Sequence, residues 1–437
     1  MQSPFKKLKK ESVPHSHKYS SDFNSVILIV IWNSLGFFFV DFIMVYMINQ
    51  VMNASGVALG LFPAFLTFGG LISSLFIGYL TDHVSKQKLV MIGSFGRGLS
   101  YFGLYTSIIL QSLIGIYTSA FLLGLGAMLF WVPLDTLISE KSSKYHRSSA
   151  FGRRRFALGI GQVIGTIVGF TIFGFASIFT PDNVFLIFSA IPIFACANFY
   201  AGIRFSLTVD EDEKFKHPDK SINETDDEND SAQSERSSHY YVLGLVLLFF
   251  GMILSATNAG IYRPFILPIA FKNISSNASL ISLFIFPATV IGTLIAPKLG
   301  TIGDKLNPYI TISITSIIGG FLTFFIIFSR DIWIFSLLLV FDNMIMLTSG
   351  FVFINFISRI SIKHRGKIFG IISALESIGF VIGPIIGGLV WDTISSTTPF
   401  IISIIVEWAL IPFFAFGIYI LSKKKLIIES LVDEKSQ

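Results

Sequence analysis

The amino-acid sequence predicts an all-α membrane protein of 12 transmembrane helices, built as two six-helix bundles related by pseudo-twofold symmetry. Three observations predict it. The chain holds twelve apolar runs of bilayer-crossing length, its lysines and arginines gather on one side of those runs, and its second half repeats the first.

Composition sets the frame. Of 437 residues, 52% are hydrophobic and only 14% charged, and the mean hydropathy is +0.71. So few charges cannot cover the surface of a soluble protein of this length, so the surrounding solvent is lipid. The net charge of +5 is no nucleic-acid signature, because the basic residues punctuate apolar segments and form no stripe between aromatics. A single cysteine, Cys196, excludes an internal disulfide and a cysteine-built metal site. The basic N-terminal segment lacks the short apolar core and cleavage site of a secretory signal, so no processing is expected.

A helix that crosses a bilayer needs about 20 mostly apolar residues. Spans 1 to 6 are expected at 26–49, 57–80, 89–110, 113–137, 156–178 and 183–207. Spans 7 to 12 are expected at 240–262, 279–299, 308–329, 332–357, 367–391 and 398–422. The domain plan is an N-terminal tail, 1–25; a first bundle, 26–207; an acidic linker, 208–239; a second bundle, 240–422; and a C-terminal tail, 423–437. The linker, with "DEDEKFKHPDKSINETDDENDSAQSER", is charged and poor in apolar residues, and reads as a solvated connection.

With both termini in the cytosol, 28 of the 32 Lys and Arg residues fall on the cytosolic side. The others are Arg263, Lys272 and Arg330 at outer ends, and Arg97 within span 3. The expected setting is therefore the cell membrane. Asn53, Asn273 and Asn277 head glycosylation triplets on the outer side.

The halves match at a shift of 218 residues. "HRSSAFGRRRFALGIGQVIGTIVG" enters span 5 and "HRGKIFGIISALESIGFVIGPIIGG" enters span 11, superposing Gly161, Gly165 and Gly169 on Gly379, Gly383 and Gly387. The loops "GYLTDHVSK" after span 2 and "GTIGDKLNP" after span 8 place Asp82 and Asp304 222 residues apart. Both halves start on the same face, so a duplicated unit in parallel orientation is expected.

These features resemble the major facilitator superfamily of secondary transporters over essentially the whole chain. The family's loop after span 2 carries Gly, any, Leu, any, Asp and then basic residues. Here Gly78, Leu80 and Asp82 fit it, and Gly300, Ile302, Asp304 and Lys305 echo it. The resemblance implies that these aspartates latch the halves when the cytosolic side is closed. Asp82 would face the start of span 11 near Arg365, Gly366 and Lys367, and Asp304 the start of span 5 near Arg153, Arg154 and Arg155. Gly78 and Gly300 would let helix ends approach their neighbours. The bland alternative is a pair of solvated turns that fix topology.

The glycines four residues apart in spans 5 and 11 give each helix a face of small residues for close packing in lipid. Gly379 to Gly388 also reads as the Gly-x-x-x-Gly-Pro-x-x-Gly-Gly signature of the superfamily's antiporters, here in span 11 where those carry it in span 5. Either way, these helices are expected at the surface where the halves slide.

Ionisable groups inside a bilayer are functional candidates by default. The resemblance implies a central cavity lined by spans 1, 4, 7 and 10, with spans 3, 6, 9 and 12 outermost. On that template Asp41, Asp135 and Asp342 point inward, with Asn33, Asn258 and Asn343 as hydrogen-bonding neighbours and Glu376 mid-span. Asp135 could instead join Glu140 and the basic loop, Arg263 is expected to snorkel outward, and Arg97 and Glu407 to pair within the bundle. Buried carboxyl groups such as Asp41, Asp342 and Glu376 take up protons readily, as a proton-coupled carrier requires.

The sequence lacks His-Glu-x-x-His, Gly-x-Ser-x-Gly and Gly-x-x-x-x-Gly-Lys, and all seven histidines lie in polar segments, so neither an enzyme nor an ATP-driven pump is expected. The expected activity is alternating-access transport of a small solute, in the leading version proton-coupled export of drug-like or metabolite compounds. A proton symporter for a sugar, organic acid or amino-acid derivative is the alternative, and a non-transporting receptor on the same fold the alternative of another class. The expected partners are a small molecule, protons and lipid, with no cofactor, metal or nucleic acid, in a monomer.

Overall fold

The computed structural model describes residues 19–143, 147–180, 182–213, 235–278, 280–285, 291, 295, 307–360 and 365–435. Ten helices within them are long and apolar enough to cross a membrane. Span 3, Lys86–Ile109, has the length but carries Arg97 and two lysines. Most of span 8, with Gly300 and Asp304, lies outside the described residues. The ends of the spans that carry the basic loops form one face of the molecule, here called the basic face.

Local signals set the helix starts. Ser55, Ser85 and Ser112 accept backbone N–H bonds from Ala58, Lys88 and Gly115 and so cap spans 2, 3 and 4. Span 1 is interrupted at Leu35–Gly36 between the helices Phe23–Ser34 and Phe37–Tyr46, and ends in a π turn, Met47–Val51. Tyr101 packs on Gly36, where a Cβ would meet its hydroxyl at 3.0 Å.

Span 7 differs from its expected bounds in a way that matters. The helix Glu235–Tyr262 runs on through a 3-10 turn, Arg263–Phe265, into a further helix, Ile266–Asn273. Pro264 in the first turn tolerates this bend because its missing N–H has no partner to lose there. Arg263 is therefore inside a continuous helical path, not at a helix end.

The glycine rows pack within each half. A Cβ on Gly161 or Gly165 would run into the carbonyls of Ile31 and Leu35 in span 1. A Cβ on Gly383 or Gly387 would run into those of Thr257 and Ile261 in span 7. The repeated faces thus seat span 5 on span 1 and span 11 on span 7, while Gly388 carries the span 11 row on to Gly56 and Val57 of the other half, the expected place of that helix between the halves. The reason is geometric: only a bare Cα lets two helix backbones approach this closely.

The halves meet at the face opposite the basic one. There a Cβ on Gly60 would strike the carbonyl oxygen of Pro384, and one on Gly388 would lie 2.6 Å from Val57 Cα. Asp392 completes the seam. Its Oδ1 accepts the Gly56 N–H at 2.6 Å and its Oδ2 the Val57 N–H at 2.9 Å, so an aspartate of span 11 sits on the N-terminus of span 2. Phe271 of the span 7 extension adds aromatic contacts with Phe42 and Tyr46, centroids 6.2 and 5.9 Å apart.

At the basic face, Gly78 and Gly152 have nothing within 4 Å of where a side chain would begin. The N-terminal half is knotted there by polar contacts. Lys141 is fully buried, its Nζ donating to Asp22 Oδ2 at 2.6 Å and to the carbonyls of Asp210 and Glu213 at 2.5 and 2.8 Å. Glu211 receives the N-terminus of span 3 through the Ser85 hydroxyl and the N–H groups of Lys86 and Gln87. Burial alone would raise its carboxyl group. Those hydrogen bonds and the Lys86 charge outweigh burial and hold it below the usual glutamate value.

Candidate functional site

A cavity of about 310 Å³ opens among spans 7, 9, 10, 11 and 12. One end is polar, with Asn258, Tyr262, Arg263, Ser316, Asp342 and Glu407; the other is apolar, with Met252, Ile312, Phe353 and Phe414. It lies wholly within the C-terminal half. Spans 9 and 12, expected outermost, supply much of its wall. Their small residues explain this: Gly319, Ser316 and Ser403 leave room that bulkier side chains would fill.

Asn258 organises the polar end. It is 2% exposed, and its Nδ2 donates to Glu407 Oε2 at 3.0 Å. Its Oδ1 has no hydrogen-bond partner. Ser316 lines the same end of the cavity, and Gly319 faces Glu407 Oε1, which would lie 3.8 Å from an added Cβ. Arg263 is the nearby positive charge for both Asp342 and Glu407. It is exposed and lines the cavity. Glu376 joins the lining from span 11, whereas Asn343, beside Asp342, does not.

The expected site residues of the N-terminal half divide differently. Asn33 is fully buried and committed to structure: its Nδ2 donates to Ser94 at 2.8 Å, and Arg97 donates to its Oδ1 and, at 2.9 Å, to its carbonyl. Arg97 is itself fully buried, with the Phe37, Phe130 and Trp131 rings 4.5 to 5.7 Å from its guanidinium. Its partners are amide, carbonyl and aromatic faces. Asp41 is accessible and stands apart from the C-terminal cavity. Asp135 pairs with Arg154, whose Nε is 2.6 Å from its Oδ1 and whose Nη2 donates to Oδ2 at 3.0 Å. That is the basic-loop alternative, with Arg154 as partner; Glu140 pairs with Lys86 at 3.4 Å.

Of the latch residues, Asp82 and Arg153 are exposed, and Arg153 lies over the Tyr19 ring at 4.8 Å. Gly78 faces open space. Gly300 and Asp304 lie outside the described residues, and so does the side chain of Arg365.

Two residues that sequence reasoning missed are Asp392 and Lys141. An aspartate just past the end of an apolar span, with a helix start that lacks acidic residues elsewhere in the chain, is the signal for the first. Nothing in "SEKSS" marks Lys141 as buried.

A multi-pass bundle with a partly charged cavity among its spans has the build of a solute carrier. The chain belongs to the Major Facilitator Superfamily, whose sequence model matches residues 26–362. It is a transporter of that family, not an enzyme, with a small-molecule substrate and a membrane setting. It is similar to Multidrug resistance protein 2 of Bacillus subtilis (strain 168), 24% identical over 367 residues, or 78% of this chain and 82% of the relative. The fold matches a crystal structure of the nucleoside transporter NupG with a TM-score of 0.63 at 15% identity, covering 90% of this chain and 98% of that one. It also matches a POT family transporter in complex with a thioalcohol-conjugated peptide, with a TM-score of 0.68 at 10% identity, covering 92% of this chain and 96% of that one.

Proposed function

We propose that the protein exports drug-like or metabolite compounds from the cytosol in exchange for protons, by alternating access of its two halves. The carrying observation is the surplus of accessible carboxylates in the spans: Asp342, Glu376 and Glu407 share the cavity with a single arginine, Arg263, and Asp41 adds a fourth carboxylate in span 1, whereas the other accessible arginine among the described residues of the spans, Arg204, lies four residues from the end of span 6. Such a surplus attracts protons and cationic solutes and repels anions. The likeness to a multidrug resistance protein supports the direction of transport.

In this reading the basic face is cytosolic, as are both termini, and the protein works as a monomer in the cell membrane. The seam of Gly60, Gly388 and Asp392 closes the outer side, while Asp82 and Asp304 wait to latch the inner side in the alternate state. Asp41 couples the proton. Asp342 and Glu376 contribute to the substrate or proton site with Asn258, while Asn33 and Asp135 hold helices in place.

The test is flux in proteoliposomes with an imposed pH gradient and a cationic dye. Wild-type protein accumulates the dye on the acidic side, and Asp41→Asn abolishes that accumulation while leaving the protein folded. Full dependence on the gradient in the variant would remove Asp41 from coupling. No dye movement by wild type under any gradient would overturn the reading as a whole.

A further inference from the structure

We propose that the C-terminal cavity contains an ammonium subsite, formed by the Glu407 carboxylate, the free amide oxygen of Asn258 and the Ser316 hydroxyl. The proposal rests on the transporter reading and names its substrate class: primary or secondary amines with a compact apolar body.

Asn258 anchors the subsite. A buried amide oxygen without a hydrogen-bond donor is costly, and the residue that carries this one lines the cavity. The orientation of the amide is fixed from its other end. Nδ2 donates to Glu407 Oε2 at 3.0 Å, and a flipped amide would set oxygen against carboxylate oxygen. Oδ1 therefore waits for a donor that comes from outside the protein.

The rest of the polar end points the same way. Glu407, Asp342, Glu376 and Asn258 Oδ1 offer acceptors, and Arg263 is the one basic side chain in the lining. The guanidinium neutralises one of these three carboxylates, so a ligand's positive charge offsets a second and leaves the third for a proton. Gly319 leaves the approach to Glu407 Oε1 unobstructed. A head group with several N–H donors satisfies Glu407 and Asn258 together, whereas a quaternary ammonium brings charge but no donor. Beyond the head group the wall turns apolar through Met252, Ile312, Phe353 and Phe414, toward the basic face. At about 310 Å³ the space suits a small ligand. Glu407 was placed by sequence on an outer helix, so nothing in the pattern of the chain assigned it this role.

The test uses the purified full-length protein and isothermal titration with three probes that share a phenylethyl body: phenethylammonium, its trimethylammonium counterpart and 3-phenylpropionate. Wild type should bind the primary ammonium about tenfold or more tighter than the trimethyl compound, as expected for charge-assisted hydrogen bonds, and should not bind the carboxylate. Glu407→Gln should weaken the primary ammonium by a similar factor, and Asn258→Ala should collapse the discrimination between the two cations. Ser316→Ala, a gentler change, should weaken the primary ammonium in the same sense and carries the test if Glu407→Gln fails to fold. Equal affinity of wild type for both cations, binding of the carboxylate, or full affinity in the Glu407 and Ser316 variants would overturn the subsite. Binding with this pattern but no flux in liposomes would uphold the subsite and refute the transport reading instead.

Discussion

Asp392→Asn loosens the seam between the halves without unfolding either one. The Gly56–His83 helix keeps its own cap, because Ser55 still accepts the Ala58 N–H. What the variant loses is the charge of a carboxylate that binds two adjacent N–H groups at 2.6 and 2.9 Å across the seam. Caps and helix-end charges are each worth about 0.3 to 2 kcal/mol, and Asp392 is exposed, so the lower part of that range applies. A loss of about 1 kcal/mol shifts a two-state equilibrium roughly fivefold toward the open form. The assay is the rate of maleimide labelling of Ala58→Cys, a position 8% exposed beside the seam, in a Cys196→Ser background. Labelling should speed up about fivefold in Asp392→Asn. An unchanged rate, with melting temperature also unchanged, would refute the argument that this carboxylate holds the outer side shut.

Three further outcomes follow from the packing. Gly60→Val drives a side chain into the Pro384 carbonyl, which as backbone cannot move aside; overpacking of this kind costs about 1 to 3 kcal/mol, so Ala58→Cys labels faster than in Asp392→Asn and dye flux falls, while the separate halves stay folded by circular dichroism. Lys141→Met leaves the Asp22 carboxylate and two carbonyls without their donor; breaking a buried pair costs about 3 to 5 kcal/mol, measured as a large drop in thermal stability that a conservative surface substitution such as Lys88→Met does not cause. The Glu211 clasp is pH-dependent with a defined sign: a carboxyl group held below its ordinary value of 4.5 stabilises the fold above that value and ceases to as pH falls through the lowered one. Protection of the Lys86 and Gln87 amides against hydrogen exchange, taken relative to the intrinsic rate at each pH, should therefore be high at neutral pH, lower after acidification, and low throughout in Glu211→Gln.

The membrane fold was legible because bilayer thickness imposes a length and polarity that apolar runs display directly. Span 3 shows the limit of that reading: its helix forms although Arg97 sits within it, since Asn33 and three aromatic rings satisfy the guanidinium. The glycine repeat revealed two equivalent helices but not their neighbours. A row of small residues states that a backbone comes close; only the fold states whose backbone, and Gly165 and Gly383 met their own halves. The site was partly legible. Asp342, Asn258 and Glu376 line the cavity as charged or polar residues in spans should. Glu407 pairs within the bundle, with Asn258, as its helix suggested; that it and Arg263 also line a cavity was not legible, because span 7 continues past Tyr262 and a helix on the outside of a bundle can still turn one face to a cavity within it.

The account stands or falls on reciprocal motion of the two faces. Spin labels at the exposed positions Leu110 and Ile394 report the outer side, and labels at Leu207 and Ile310 report the basic side. Distances measured in the full-length protein should lengthen across the first pair and shorten across the second when protons or phenethylammonium are added. Two pairs that stay fixed, or that lengthen together, would contradict alternating access in this protein.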